Sequence, residues 1–147
     1  MKLSAKGRYG LAAMTQLAMN YHAGGPVTII KISERLGISK IYLEQVFSLL
    51  KRAKLVRSIK GSQGGYQLAR EPERITVYDI LAAIELALSE TTAPAFDKLP
   101  ALDEALAKTI YEPLDAAIRE SLSATTLAEL TAAAERENRE EVMMFYI

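Results

Sequence analysis

Between Thr28 and Ala53 two helical patterns stand only a two-residue turn apart, and that closeness constrains the fold more than any other feature of the chain. Thr28 can cap a short helix through about Leu36, with Ile29, Ile32 and Leu36 on its inner face. Gly37 stops it, and after Ile38 the hydroxyl of Ser39 can cap a second helix to about Ala53 that turns Leu43, Val46, Phe47 and Leu50 inward. Short helix, glycine turn and capped helix make a helix-turn-helix. Leu55-Val56-Arg57-Ser58-Ile59-Lys60 then alternates apolar and polar residues, as a strand does. Gly61-Ser62-Gln63-Gly64-Gly65 is a glycine-dense turn, and Tyr66-Gln67-Leu68-Ala69 alternates again. The pair predicts the β-hairpin called a wing, closed by Pro72.

A helix from Ser4 to about Ala23 is expected ahead of this unit. Leu11, Met14, Leu17, Ala18 and Tyr21 lie on its buried face, and Gly24-Gly25-Pro26 ends it. Behind the wing, Thr76 and Asp79 have capping-box spacing and open a helix facing Ile80, Leu81 and Ile84 inward. The stretch Ser89 to Leu99 reads as a hinge. Pro100 suits the first turn of a long helix to about Ser123. Leu102, Leu106, Ile110, Leu114, Ile118 and Leu122 recur along it every four residues, and Pro113 should kink it. A last helix opens at Thr126, with a capping box to Glu129, and bears Leu127 and Leu130. The apolar tail Val142-Met143-Met144-Phe145-Tyr146-Ile147 is expected to pack on this subunit or on a partner. The expected fold is mainly α with a small β-hairpin: a winged helix-turn-helix DNA-binding domain over residues 1–86, a linker over 87–99, and a helical dimerisation and regulatory region over 100–147.

Charge sorts along the same division. The formal net charge is zero, but residues 1–74 carry 13 Lys/Arg against 4 Asp/Glu, a net of +9, and residues 75–147 carry 5 against 14, a net of −9. A basic half suits a polyanion, and an acidic half suggests a second task. The chain has no cysteine, so disulfides, thiol nucleophiles and cysteine-ligated metals are excluded. No apolar run approaches the ~18 residues that span a bilayer. The start Met1-Lys2-Leu3-Ser4 lacks a secretory signal, so the expectation is a cytoplasmic protein with no membrane partner. Enzyme signals are thin. There is no Gly-x-Ser-x-Gly and no Walker-type loop, and the wing glycines lie between strands rather than before a helix. His22, the single histidine, sits near a helix end and reads as a satisfied or solvent-facing side chain rather than a ligand or base. No catalytic residue, cofactor or metal ligand is expected.

The basic half holds the chemistry that duplex DNA needs. A helix fits the major groove, and side chains near its start reach base edges. Ser39, Lys40, Tyr42, Glu44 and Gln45 stand at the start of the second motif helix. Ser and Gln donate and accept, Glu accepts from cytosine N4, and Lys40 can reach guanine or phosphate. Lys60 precedes the wing tip, with Ser62 in the turn, where a cation can enter the narrow minor groove. Lys51, Arg52, Lys54 and Arg57 can contact phosphate, as can Lys2, Lys6 and Arg8 at the first helix. The long helix needs a partner surface. The same helix of a second subunit supplies it, giving a homodimer with two reading heads on a near-palindrome.

The chain resembles the IscR/CymR-type winged-helix transcriptional regulators of bacteria. The likeness is carried by Lys2-Leu3-Ser4-Ala5-Lys6-Gly7-Arg8-Tyr9-Gly10, Ile32-Ser33-Glu34, Ile38-Ser39, Tyr42-Leu43-Glu44-Gln45, Leu55-Val56-Arg57-Ser58-Ile59-Lys60-Gly61 and Gly64-Gly65-Tyr66. It implies a dimer reading the major groove through Ser39, Tyr42, Glu44 and Gln45 and the minor groove through the wing, with Lys60 where many members have Arg. Cluster-binding members carry three cysteines between the fourth helix and the dimerisation helix, and this chain has none. Thr125-Thr126-Leu127-Ala128-Glu129-Leu130 and the ending Met144-Phe145-Tyr146-Ile147 are similar to the cluster-free cysteine-metabolism repressors of Gram-positive bacteria. In that subgroup the repressor can act together with cysteine synthase. The resemblance thus implies a repressor of cysteine and sulfur genes; the alternative is a module that docks such a cysteine-biosynthesis enzyme. Two positions depart from the pattern. Glu85-Leu86-Ala87-Leu88 stands where the subgroup has Glu-Gly-Pro, and Lys54 replaces a glycine before the first wing strand, at a turn that calls for positive φ.

Overall fold

A computed structural model of the chain describes residues 2–146. Helix α1 spans Ala5–Met19. The Ser4 hydroxyl accepts from the Gly7 amide at 3.0 Å and so satisfies one orphan N–H of the first turn. The helix ends four residues before Ala23. The Asn20 side-chain amide donates to the carbonyls of Gly24 and Gly25 at 3.3 and 3.2 Å and gathers the chain into a turn, which the apolar spacing of Tyr21 does not report.

Helix α2 spans Ile29–Leu36, with the Thr28 hydroxyl as cap, and closes on Gly37 in the left-handed region at φ 67°. Helix α3 spans Lys40–Arg52, capped by the Ser39 hydroxyl, which accepts from the Tyr42 amide at 3.2 Å. Ser33 ties the turn between them by donating to the Ile38 carbonyl at 2.5 Å. Strands β1 (Val56–Ile59) and β2 (Gly65–Leu68) pair antiparallel, with Val56 opposite Leu68 and Ile59 opposite Gly65. Val27 adds a single bridge to the sheet. Its amide donates to the Tyr66 carbonyl and its carbonyl accepts from the Tyr66 amide, both at 2.8 Å, which roots the wing in the segment before α2.

Helix α4 spans Val77–Ile84 and opens with a complete capping box. The Asp79 amide donates to the Thr76 hydroxyl at 3.0 Å, and the Thr76 amide donates to the Asp79 carboxylate at 2.9 Å. The long helical arm consists of α5 (Pro100–Leu106), a π-helical turn (Ala107–Tyr111) and α6 (Glu112–Ser123), continuous in helical backbone through Leu106 and Glu112. Pro113 lies two residues beyond that turn. Its ring crowds the carbonyl four residues back and it offers no amide; a widened turn just ahead relieves both problems. Helix α7 spans Leu127–Phe145. The Thr126 hydroxyl accepts from the Glu129 amide at 3.1 Å, so the one half of the expected capping box is made.

One apolar core joins these elements. Phe47, Met14, Ile32, Leu43, Leu50, Leu55, Ile75 and Ile80 are shut from solvent, and so is Leu127 from the start of α7. Backbone bonds fasten that return: Leu127 donates to the Ile75 carbonyl at 2.7 Å and Val77 to the Thr125 carbonyl at 2.9 Å. The Arg119 guanidinium lies 5.2 Å from the Tyr78 ring and adds a cation–π contact between α6 and α4. Beyond Ala134 helix α7 runs out into solvent. Residues 135–146 are all exposed, because Glu135, Arg136, Glu137, Arg139, Glu140 and Glu141 carry the helix away from the core. The apolar residues Val142 to Tyr146 therefore do not pack on their own subunit, contrary to the first of the two placements expected for them; Ile147 lies outside the described residues.

Candidate nucleic-acid interface

The periodicity of α3 decides which of its side chains can meet a ligand. Leu43, Val46, Phe47 and Leu50 are buried, so Ser39, Lys40, Glu44 and Gln45 stand on the opposite, exposed face. Glu44 and Gln45 share a shallow groove of about 430 Å³ with Lys6 of α1 and with Ile41, Ser48 and Leu49. The structure thus brings the expected Lys6 beside the expected base readers. Tyr42 is half-buried, and its ring packs edge-on to Tyr9 with centroids 5.1 Å apart. That contact ties α3 to α1. Ile41, which the sequence analysis did not single out, is 71% exposed on the wet face. The signal was present: Ile41 is two residues short of the first buried position, Leu43, and off the stripe.

The wing supplies a second approach. Gly61 holds φ 114° and the Gly64 amide donates to the Gly61 carbonyl at 3.0 Å, which makes a tight reversal at the tip. Lys60 and Ser62 flank that tip, and both are exposed. Arg57 on β1 is exposed too, as are Lys51 and Arg52 at the end of α3. Lys54 has φ 62°, the left-handed conformation expected where a glycine is usual. Among the described residues there are two ion pairs, Arg74–Glu71 at 3.7 Å and Lys108–Glu104 at 2.7 Å. Neither involves Lys2, Lys6, Arg8, Lys40, Lys51, Arg52, Arg57 or Lys60, so these charges are open to a polyanion.

Lys2 and Arg8 frame the start of α1, and there the structure adds a residue that sequence reasoning missed. The Ser4 amide donates to Glu85 Oε1 at 3.0 Å, and the Ser4 hydroxyl donates to the same oxygen. A carboxylate from the end of α4 thus sits at the positive end of α1. Nothing local in the sequence pairs residues 4 and 85.

On the arm, Leu102, Ile110 and Leu114 are 43%, 50% and 55% exposed, and Leu106, Ile118 and Leu122 are half-buried. No member of this stripe reaches the core of its own chain. In the segment before it, the Asp103 carboxylate accepts from the Ala95 and Phe96 amides at 3.0 and 2.8 Å, folding the stretch ahead of Pro100 against the first turn of α5.

Known proteins share this fold. Residues 3–133 match the family profile Rrf2, described as an iron-dependent transcriptional regulator. The HTH-type transcriptional regulator CymR of Bacillus subtilis (strain 168) is 40% identical over 147 residues, which is the whole of both chains. The regulator IscR of Sodalis glossinidius (strain morsitans) is 39% identical over 133 residues, 90% of this chain and 79% of that one. Among solved structures, T. potens IscR superposes with a TM-score of 0.71 at 39% identity, covering 93% of this chain and 90% of that one. CymR, the global cysteine regulator of B. subtilis, also gives 0.71, at 38% identity over 90% and 98% of the two chains.

Proposed function

Because the chain belongs to the Rrf2 family of transcriptional regulators, we propose that it is a homodimeric repressor that reads a near-palindromic operator through α3 and the wing. The observation that carries this reading is the pairing of two unsatisfied surfaces. One is a row of exposed cations and hydrogen-bonding side chains around α3 and the wing tip. The other is an apolar stripe on the arm that its own chain covers only in part. Ser39, Glu44 and Gln45 read base edges from the major groove, and Lys60 enters the minor groove. Lys2, Lys6, Arg8, Lys40, Lys51, Arg52 and Arg57 hold phosphates. Leu102, Leu106, Ile110, Leu114, Ile118 and Leu122 meet their equivalents across a two-fold axis and set the spacing of two half-sites. The reading head over 1–86, the linker over 87–99 and the arm over 100–147 divide these tasks.

CymR of B. subtilis is a global cysteine regulator, and full-length similarity to it supports cysteine and sulfur genes as the regulon. The relatives' names describe regulators, so enzyme docking gains no support from them. The family's description is iron-dependent, but this chain has no cysteine to supply thiolates. Among the described residues no three His, Cys, Asp or Glu side chains are grouped to hold a metal ion. The donor set does not fit an iron–sulfur centre, and no part of the proposed mechanism passes through one.

Light scattering during size-exclusion chromatography, followed by fluorescence anisotropy on duplexes over a salt series, tests the proposal. A dimer that selects one near-palindromic genomic fragment, with affinity falling steeply as salt rises, is expected. Glu44→Ala should relax base choice, and Lys60→Ala should weaken binding to all duplexes more evenly. A monomer with equal weak binding to every duplex overturns the reading.

A further inference from the structure

We propose that Ile41 is a specificity-determining residue that reads the 5-methyl group of a thymine in the major groove. The inference rests on the reading of α3 as the recognition helix and assigns it a base contact that polar chemistry alone does not supply.

Ile41 is the second residue of α3, in the turn where side chains come closest to base edges. It is 71% exposed. Every other isoleucine, leucine, valine or phenylalanine of α3 is buried or half-buried against the body of the domain. A branched aliphatic side chain at this position contributes nothing to the core and is a poorer helix former than the Lys, Glu or Gln beside it. It is therefore unsatisfied in the isolated chain, as Glu44 and Gln45 are. Those two lie three and four residues on, which puts all three on one helix face, and they line one groove. Tyr42, between them in sequence, is half-buried with its ring against Tyr9.

The chemistry that fits this trio is a short run of major-groove edge. Glu44 accepts from an exocyclic amine, Gln45 pairs with an adenine or a comparable donor–acceptor edge, and Ile41 covers an apolar group between or beside them. The thymine 5-methyl is the only apolar group that unmodified B-DNA presents in the major groove. Ile41 would shield that methyl from water without a hydrogen bond, so its contribution should be about the worth of one methyl or methylene group removed from solvent.

The test uses the full chain and an operator selected by the wild-type protein from a random duplex library. Each thymine of one half-site is replaced singly by deoxyuridine, which removes the methyl and leaves the hydrogen-bonding edge intact. At one thymine the wild type should lose about threefold to fivefold in affinity. Ile41→Ala, which should leave the melting temperature nearly unchanged since the side chain is exposed, should bind the thymine and uracil duplexes equally there. It should keep the wild type's discrimination at the positions that Glu44→Ala relaxes. If no uracil duplex differs from its parent for the wild type, or if Ile41→Ala retains the methyl preference, Ile41 does not read a methyl and the assignment is wrong, while the repressor reading stands. If the wild type selects no sequence at all, sequence-specific regulation itself fails and this assignment fails with it.

Discussion

Single residues in this chain carry opposite obligations. Lys54 shows the conflict most plainly: its φ of 62° places a lysine Cβ where only glycine is free of steric cost. The conformation persists because both sides of the turn are fixed. The Lys54 amide donates to the Lys51 carbonyl at 2.9 Å and the Leu55 amide to the Leu50 carbonyl at 3.1 Å, joining the end of α3 to β1. Lys54→Gly should therefore raise stability by about 1 kcal/mol, read as a shift of the urea midpoint at constant slope. The same variant removes one cation and should lower affinity for all duplexes slightly, with a shallower salt dependence. A loss of stability would mean that the lysine side chain makes contacts that outweigh its backbone strain. At this scale the sequence was a good guide wherever a residue's partner lies within a few positions. The caps at Ser4, Thr28, Ser39, Thr76 and Thr126 and the stop at Gly37 were all legible, because a hydroxyl and an amide three residues on meet whatever the rest of the chain does. Glu85 at the head of α1 was not, because only the packing of α4 beside α1 brings it there.

Between elements, the informative case is the return of α7. Its first turn inserts Leu127 into the core with no solvent exposure, the helix packs on α1, and the backbone around Leu127 bonds to the segment around Ile75. The spacing of Leu127 and Leu130 indicated an apolar face on α7 but not its destination, since periodicity says that a face is covered and never by what. The π turn ahead of Pro113 escaped for a related reason: proline announces a conflict in the helix, and the backbone has several ways to resolve it. Leu127→Ala should cost about 2–5 kcal/mol by opening a cavity at the joint between the reading head and the arm. Leu130→Ala, at a half-buried site, should cost less. Both are measured by denaturation at one fixed protein concentration, because unfolding of an associated chain depends on it. Equal costs at the two positions would mean that the joint is looser than its buried area implies.

At the scale of the whole molecule, two apolar stretches among the described residues lack full cover in a single chain: the stripe from Leu102 to Leu122, and the exposed end of α7 from Val142 to Tyr146. Their positions give them different consequences. The stripe lies on a continuous helical rod that is tied to α4 through Arg119 and Tyr78 and to the segment before α4 through the Thr125–Leu127 backbone bonds. Covering it with a second copy would therefore fix the distance between two α3 helices, whereas covering the α7 end would not, since residues 135–146 extend freely from the body. A charge at the centre of the stripe separates these roles. Leu114→Glu, at a side chain 55% exposed in the single chain, should leave the fold of that chain intact, read as unchanged helical circular dichroism, while its melting temperature falls by the stabilisation that association supplied. Buried in a symmetric interface it would set two unpaired carboxylates against each other, at several kcal/mol. The expected result is a monomer in light scattering that still binds duplex DNA weakly and with strong salt dependence. It should have lost its preference for the two-half-site operator by a hundredfold or more, since the second head no longer arrives at a fixed spacing. Truncation before Val142 should leave both the dimer and the operator preference in place. A Leu114→Glu protein that stays dimeric, or a truncated one that does not, would move the symmetric contact from the rod to the tail and uncouple half-site spacing from the long helix.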